Sequence, residues 1–418
     1  MELKSTVTVV DSLMGSGKTT WAINYMKEHT EENFMYITPY LDETDRIVEN
    51  TKPECQFWQP KRTGKDKGKL ENIGELISYG SDIASTHELF RRFDENTKYQ
   101  LLSSPVSYTL IIDETLDLVT PIQIKPADIR LCIEKGLISM DENGICKWVY
   151  ESDEYNGRFA DIKETAQTNC MICVKEKFFI WRFDPEIFTG DYFGKIIVLT
   201  YMFNGSIMKP YFEYYNINYA MASISNNRLV EYYEPNISDI AKLVNLYEGG
   251  LNESFEQKIS DLSATWFKND DNLPKIKKLK NNMDNYFRNI LKASSDTMLW
   301  SIYYANDSTD KHFKSAFRDS TRYDEHFLPC NVRGTNNYSH TSNLAYMINI
   351  YVNPGIQHFF EQKGIRVNSN MYALQYMVQW IWRSRIRNGE SINIYVPSKR
   401  MRELLKCWMS NKEIPDKS

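Results

Sequence analysis

At 418 residues the chain is too long for one ordinary core and suits two or three domains. Hydrophobic residues make up 42%, enough for a sizeable core, while a net charge of −5 excludes any global attraction to nucleic acid, so a polyanion would need a local basic face. Seven scattered cysteines fit a reducing compartment better than a disulfide framework, and no apolar run approaches the ~18 residues a bilayer needs, so a soluble, cytoplasmic protein is expected.

The first element is "STVTVV", β-branched and apolar, which predicts a buried strand of a parallel sheet. "DSLMGSGKTT" follows, and "KTTWAINYMKEH" predicts a helix. Strand, glycine-containing loop and helix make the setting of a phosphate-binding loop, although Ser12 stands where G-x-x-x-x-G-K-[ST] has its first glycine. A small residue suffices there, so the chemistry survives the departure. Gly15 and Gly17 let backbone N–H groups turn inward, and the helix N-terminus adds its partial positive charge. Lys18 is expected to reach the β- and γ-phosphates, and Thr19 to hold Mg²⁺.

Next, "NFMYITPYLDETDRIVEN" reads as a strand and a helix with Pro39 at the junction. Lys61, Arg62, Lys65, Lys67 and Lys69 then mark a solvated loop, with phosphate contact as its functional alternative. "SDIASTHELFRRF" is a short strand into a helix, with Thr86 and a structural His87 at the bend. "SYTLIIDETLDLV" predicts an apolar strand ending in Asp113 and Glu114, the pair that delivers one acid to Mg²⁺ and one to the attacking water.

Residues 116–190 are polar and turn-rich, consistent with an insertion carrying a small sheet. Its C-x-x-C pair, Cys170 and Cys173, reads as part of a strand whose residues three apart face opposite ways, which disfavours zinc. "GKIIVLTYMFNGS" gives another buried strand, and residues 206–295 read as a polar, helical linking segment rich in lysine. A second α/β region, 296–418, follows. Near its end "YALQYMVQWIWRSRIRNG" reads as one helix carrying Gln379, Arg383, Arg385 and Arg387. Arg383 and Arg387, four apart, are expected on one face, and with Glu390 the only nearby acid they suit an arginine finger.

The order of these pieces resembles the superfamily-two, DEAD/DEAH-like helicases and translocases, and among them helicase-like P-loop ATPases of phages and prophages. "SLMGSGKTT" is similar to motif I, "YITPYL" to Ia, "IIDET" to II, "VLTYMF" to III, "VRGTNNY" to V and "QWIWRSRIRNG" to VI. The arginine spacing departs from the usual motif VI, which leaves open whether Arg385 or Arg387 partners Arg383.

The resemblance implies an α/β fold of two RecA-like domains, 1–205 and 296–418, that hydrolyse ATP with Mg²⁺ while moving along nucleic acid, DNA ahead of RNA. It implies nucleotide contacts from Ser12, Met14, Gly15, Ser16, Gly17, Lys18, Thr19, Thr20 and Gln379. Metal would fall to Thr19 and Asp113, and catalysis to Lys18, Glu114, Arg383 and Arg387. Pro39, Tyr40, Thr86, Thr335 and Asn336 would lie along the nucleic-acid strand. Two other readings share the phosphate loop: a terminase-like DNA-packaging motor, against which the few acids after Glu325 count, and a nucleotide-gated switch acting on a protein partner.

Overall fold

The computed structural model describes residues 7–62, 68–150, 157–168, 170–255, 258–303, 317, 326–331 and 337–415. It divides into two compact α/β units, one of residues 1–233 with 352–367, the other of 234–351 with 368–418.

In the first unit the main sheet takes β1 (Val7–Asp11), β2 (Asn33–Thr38), β3 (Phe57–Trp58), β4 (Asp82–Thr86) and β5 (Tyr108–Asp113). An insertion follows with β6 (Val119–Pro121), β7 (Ile138–Met140), β8 (Cys146–Trp148), β9 (Met171–Val174) and β10 (Phe178–Arg182). The main sheet then resumes with β11 (Lys195–Thr200), β12 (Tyr219–Ser225) and β13 (Arg228–Glu231). Its order is β13-β12-β1-β11-β5-β2-β4-β3, and only β13 runs antiparallel to its neighbour.

The unbroken apolar runs explain the central positions. All five residues of β1 are buried, as are five of six in β2, β5 and β11, the pattern of strands covered on both faces. On one face the helix Lys18–Glu28 packs Trp21, Ala22 and Met26 into a core with Tyr36, Ile111, Ile197 and Leu199. Parallel register brings Asp11, Thr200, Asp113, Thr38 and Thr86 to one edge of the sheet.

The insertion is a small α+β body. Strands pair as β6-β10-β9 and β7-β8, and the helices Pro126–Glu134 and Ala160–Gln167 enclose a core holding Cys132, Cys146 and Cys173. These thiols act there as small apolar groups. Cys170 lies just before β9 and is half-buried. The helix Pro354–Glu361 also belongs to this unit: a Cβ on Gly355 would come within 3.0 Å of Phe178 and 3.1 Å of Ile180, both on β10. Glycine allows that approach.

The second unit is RecA-like in turn, with the parallel sheet β14-β17-β16-β15. Its strands are β14 (Val244–Leu246), β15 (Met298–Ser301), β16 (Asn343–Tyr346) and β17 (Ile392–Tyr395). The expected linking segment 206–295 has no separate existence here. Its first part supplies β12 and β13 to the first sheet and its middle supplies β14 to the second. Its helix Leu273–Asn285 buries Ile276, Leu279 and Met283 against Trp300 and Tyr395. Exposed lysines gave that helix a polar composition, but its apolar residues recur at helical spacing and bind it to a core. No helix among the described residues is long and apolar enough to cross a membrane.

Candidate nucleotide site

At the carboxyl edge of the first sheet the chain leaves β1 in a tight loop. Gly15 and Gly17 have φ of 78° and 88°, left-handed values that glycine adopts without strain. Ser12, Met14, Ser16 and Lys18 lie on this loop and the helix start, while Thr20 faces solvent in the first helical turn. The Ser16 hydroxyl is buried with no hydrogen-bond partner.

Ser12 has a structural reason of its own. Its backbone N–H donates to Thr200 O at 3.0 Å, and its Oγ accepts the Ile224 N–H at 2.7 Å. A glycine offers no such acceptor. The preceding Asp11 is equally engaged: its two carboxylate oxygens accept the N–H groups of Met202 at 2.9 Å and Phe203 at 2.8 Å. The loop after β1 and the loop after β11 are thereby tied together through buried bonds, the geometry that the "VLTYMFNG" stretch supplies from its side.

Lys18 Nζ donates to the carbonyls of Ser12 at 2.6 Å and Leu13 at 3.0 Å. Burial lowers its pKa to about 8, against the opposing pull of Asp113, Asp11 and Glu114. It is therefore still largely cationic at neutral pH. Thr19 Oγ1 donates to Asp113 Oδ2 at 3.2 Å, joining loop and β5 across ninety-four positions of sequence. A hydroxyl and a carboxylate oxygen at one corner form a set of hard oxygen donors that fits Mg²⁺.

Asp113 is held from several sides. Tyr36, fully buried on β2, donates its hydroxyl to the same Oδ2 at 2.7 Å. His87 Nε2 lies 2.9 Å from the Asp113 carbonyl, so that nitrogen carries the proton. Burial raises the Asp113 carboxyl to about 6; the Tyr36 hydrogen bond and Lys18 pull it down, and Glu114 pushes it up. Glu114 itself is held at φ 65° with its N–H on Leu199 O at 2.9 Å. A left-handed backbone costs a non-glycine residue about 1–3 kcal/mol, strain that gathers at functional sites.

Pro39, Tyr40 and Thr86 stand beside this corner, where β2 and β4 end side by side. Tyr40 is 37% exposed, while the Thr86 hydroxyl caps the following turn by accepting Leu89 N–H at 3.4 Å. A recess of about 340 Å³ opens there, lined by Lys61, Arg62, Lys69, Ser85, Thr86 and Leu41 among others. The Ser85 hydroxyl is buried in it without a hydrogen-bond partner. Thr335 and Asn336 lie outside the described residues.

In the second unit the structure corrects the expected arginine helix. The helix Ser369–Ile381 carries Gln379 but stops before the arginines. Ser384 N and Oγ both bond Ile381 O, Arg385 N turns away to Thr341 O at 3.0 Å, and a 3₁₀ turn Arg385–Asn388 closes on Gly389 at φ 78°. Arg383 and Arg387 therefore do not share one α-helical face. Arg385 is engaged locally, with Nε on Ser391 O at 2.6 Å and a terminal nitrogen 3.8 Å from Glu390.

Sequence reasoning singled out the loop and both acids but not Asp11, Tyr36 or the use of His87. Asp11 carried a signal, a buried carboxylate beside the loop. Tyr36 carried none beyond its place in a strand.

Residues 119–181 match the family described as "YonV middle domain", and residues 238–409 the family described as "YonV C-terminal Rossmann-like domain". The first match coincides with the insertion, and the second covers most of the second unit together with the 352–367 segment of the first. The SPbeta prophage-derived protein YonV of Bacillus subtilis (strain 168) is 38% identical, over 97% of this chain and 99% of its own. Among solved structures, S. tokodaii Xpd4 aligns over 98% of this chain and 95% of its own, at 12% identity and a TM-score of 0.52, a likeness of fold alone. The chain, with its two RecA-like units, belongs to the family of the prophage protein YonV.

Proposed function

We propose that the chain is an ATPase that hydrolyses ATP with Mg²⁺ to move along or remodel nucleic acid, DNA ahead of RNA. The observation that carries the reading is the convergence of Lys18, Thr19, Asp113 and Glu114 at one sheet edge, with Thr19 and Asp113 in direct contact. In this reading the loop from Ser12 to Thr20 wraps the phosphates through its amides, and Lys18 leaves its two carbonyls for the β- and γ-oxygens. Mg²⁺, when bound to Thr19 and Asp113, supplies charge neutralisation between those phosphates. Glu114 orients the attacking water. Gln379 contacts the nucleotide, and Arg383 and Arg387 stabilise the charge that develops on the transferring group.

For the polymer, the recess beside Thr86 and Tyr40 supports the reading: three basic side chains and an unpartnered hydroxyl in an acidic protein suit a backbone phosphate.

The test is ATP hydrolysis by the wild type and by Lys18→Ala, first without polymer, then with single-stranded DNA, duplex DNA and RNA. Stimulation by one polymer, lost in Lys18→Ala, supports the motor and names its track. Hydrolysis that no polymer changes overturns it and leaves a nucleotide-gated switch.

A further inference from the structure

Tyr36 presents a hydroxyl that packing does not require. Its ring belongs to the core under the helix Lys18–Glu28, where a phenylalanine would fill the same space. The residue is 0% exposed, so water cannot satisfy the phenol, and a buried hydroxyl without a partner is costly. It donates to Asp113 Oδ2 at 2.7 Å.

That oxygen has a second donor, Thr19, at 3.2 Å. The two donors differ in what holds them. Thr19 sits at the start of a helix beside the phosphate loop, and when a cation is held at this corner it must turn an oxygen lone pair toward the metal. Tyr36 is fixed by the core and stays where it is. The phenol can then keep the carboxylate oriented.

We propose that Tyr36 is a positioning residue for the divalent cation, presetting Asp113 for Mg²⁺ by its buried hydrogen bond. The proposal rests on the nucleotide-site reading above and concerns the cation rather than the polymer. Outer partners of this kind orient a ligating group, and their loss costs about 10- to 100-fold in metal affinity.

The experiment is Tyr36→Phe in the full chain, which removes one oxygen and keeps the ring. Fluorescent ADP binding is followed as Mg²⁺ is titrated, and again with EDTA. The expected result is an about 10- to 100-fold rise in the Mg²⁺ concentration at half-maximal binding, with cation-free binding unchanged. In the Asp113→Asn background, Tyr36→Phe should add nothing, since it acts through that carboxylate. An unchanged Mg²⁺ requirement, or an equal loss of cation-free binding, overturns the proposal. If the wild type itself binds no ADP, the nucleotide-site reading fails and takes this one with it. If it binds ADP with Mg²⁺ but no polymer stimulates hydrolysis, the motor alone fails and Tyr36 keeps its role.

Discussion

The phosphate-loop corner of the first unit and the arginine turn of the second are built on different principles. The corner is a backbone construction: two left-handed glycines, parallel strands ending in register, and side chains such as Asp11 and Ser12 that hold amides in place. In the arginine segment, side chains hang from a helix end whose position is set by a distant stretch of chain just before β16, through Arg385 N on Thr341 O. Backbone requirements leave a trace in a short window of sequence. A tertiary partner forty-four residues away leaves none.

The largest effect separates the three arginines. Arg383→Ala and Arg387→Ala are expected to lower kcat by about a thousandfold with little change in nucleotide affinity, as for an arginine finger. Arg385→Ala should leave kcat near the wild-type value, because its guanidinium already serves Ser391 and Glu390. Steady-state kinetics on the three variants decides it, and a deep loss in Arg385→Ala would reverse the assignment.

Smaller effects ask how far the corner depends on its held amides. Asp11→Ala leaves the buried N–H groups of Met202 and Phe203 without their acceptor. The expected cost is about 3 kcal/mol in urea unfolding. Ser12→Gly restores the consensus residue yet removes the acceptor of Ile224 N–H, so it should destabilise by about 1–2 kcal/mol while nucleotide affinity is kept. A neutral or stabilising Ser12→Gly would mean that the serine serves nothing structural.

The smallest effect is one of pH. With Lys18 lowered to about 8 by burial, the unfolded chain between that pH and the ordinary lysine value holds a proton the folded chain has shed. Stability of the nucleotide-free protein therefore rises with pH across that window. The Tm of wild type minus that of Lys18→Met should increase from pH 7 to pH 10. A difference independent of pH would show that the lysine is not desolvated in its resting pose.

Much of the first sheet was legible because its strands are unbroken apolar runs and its loop is punctuated by Gly15 and Gly17. The contact of Thr19 with Asp113 follows from recognising both motifs. Other features were hidden for identifiable reasons. The partner of Ser12 is Ile224, on β12, and no local pattern links them. Tyr36 looks like any strand aromatic until its hydroxyl is placed. The unit boundaries were obscured because lysines mask the apolar face of Leu273–Asn285, and because the chain returns at 352–367 to a body begun near its start.

That return sets an order of events during synthesis. The main sheet is complete once β13 is made, but the helix that covers β10 is encoded only at Pro354–Glu361. At about 5–20 residues per second, the apolar surface around Phe178 and Ile180 waits on the order of ten seconds beside the ribosome for its cover. The nascent chain is thus exposed to misassembly and to chaperones at one defined place, and a fragment ending at 233 would carry that bare surface permanently.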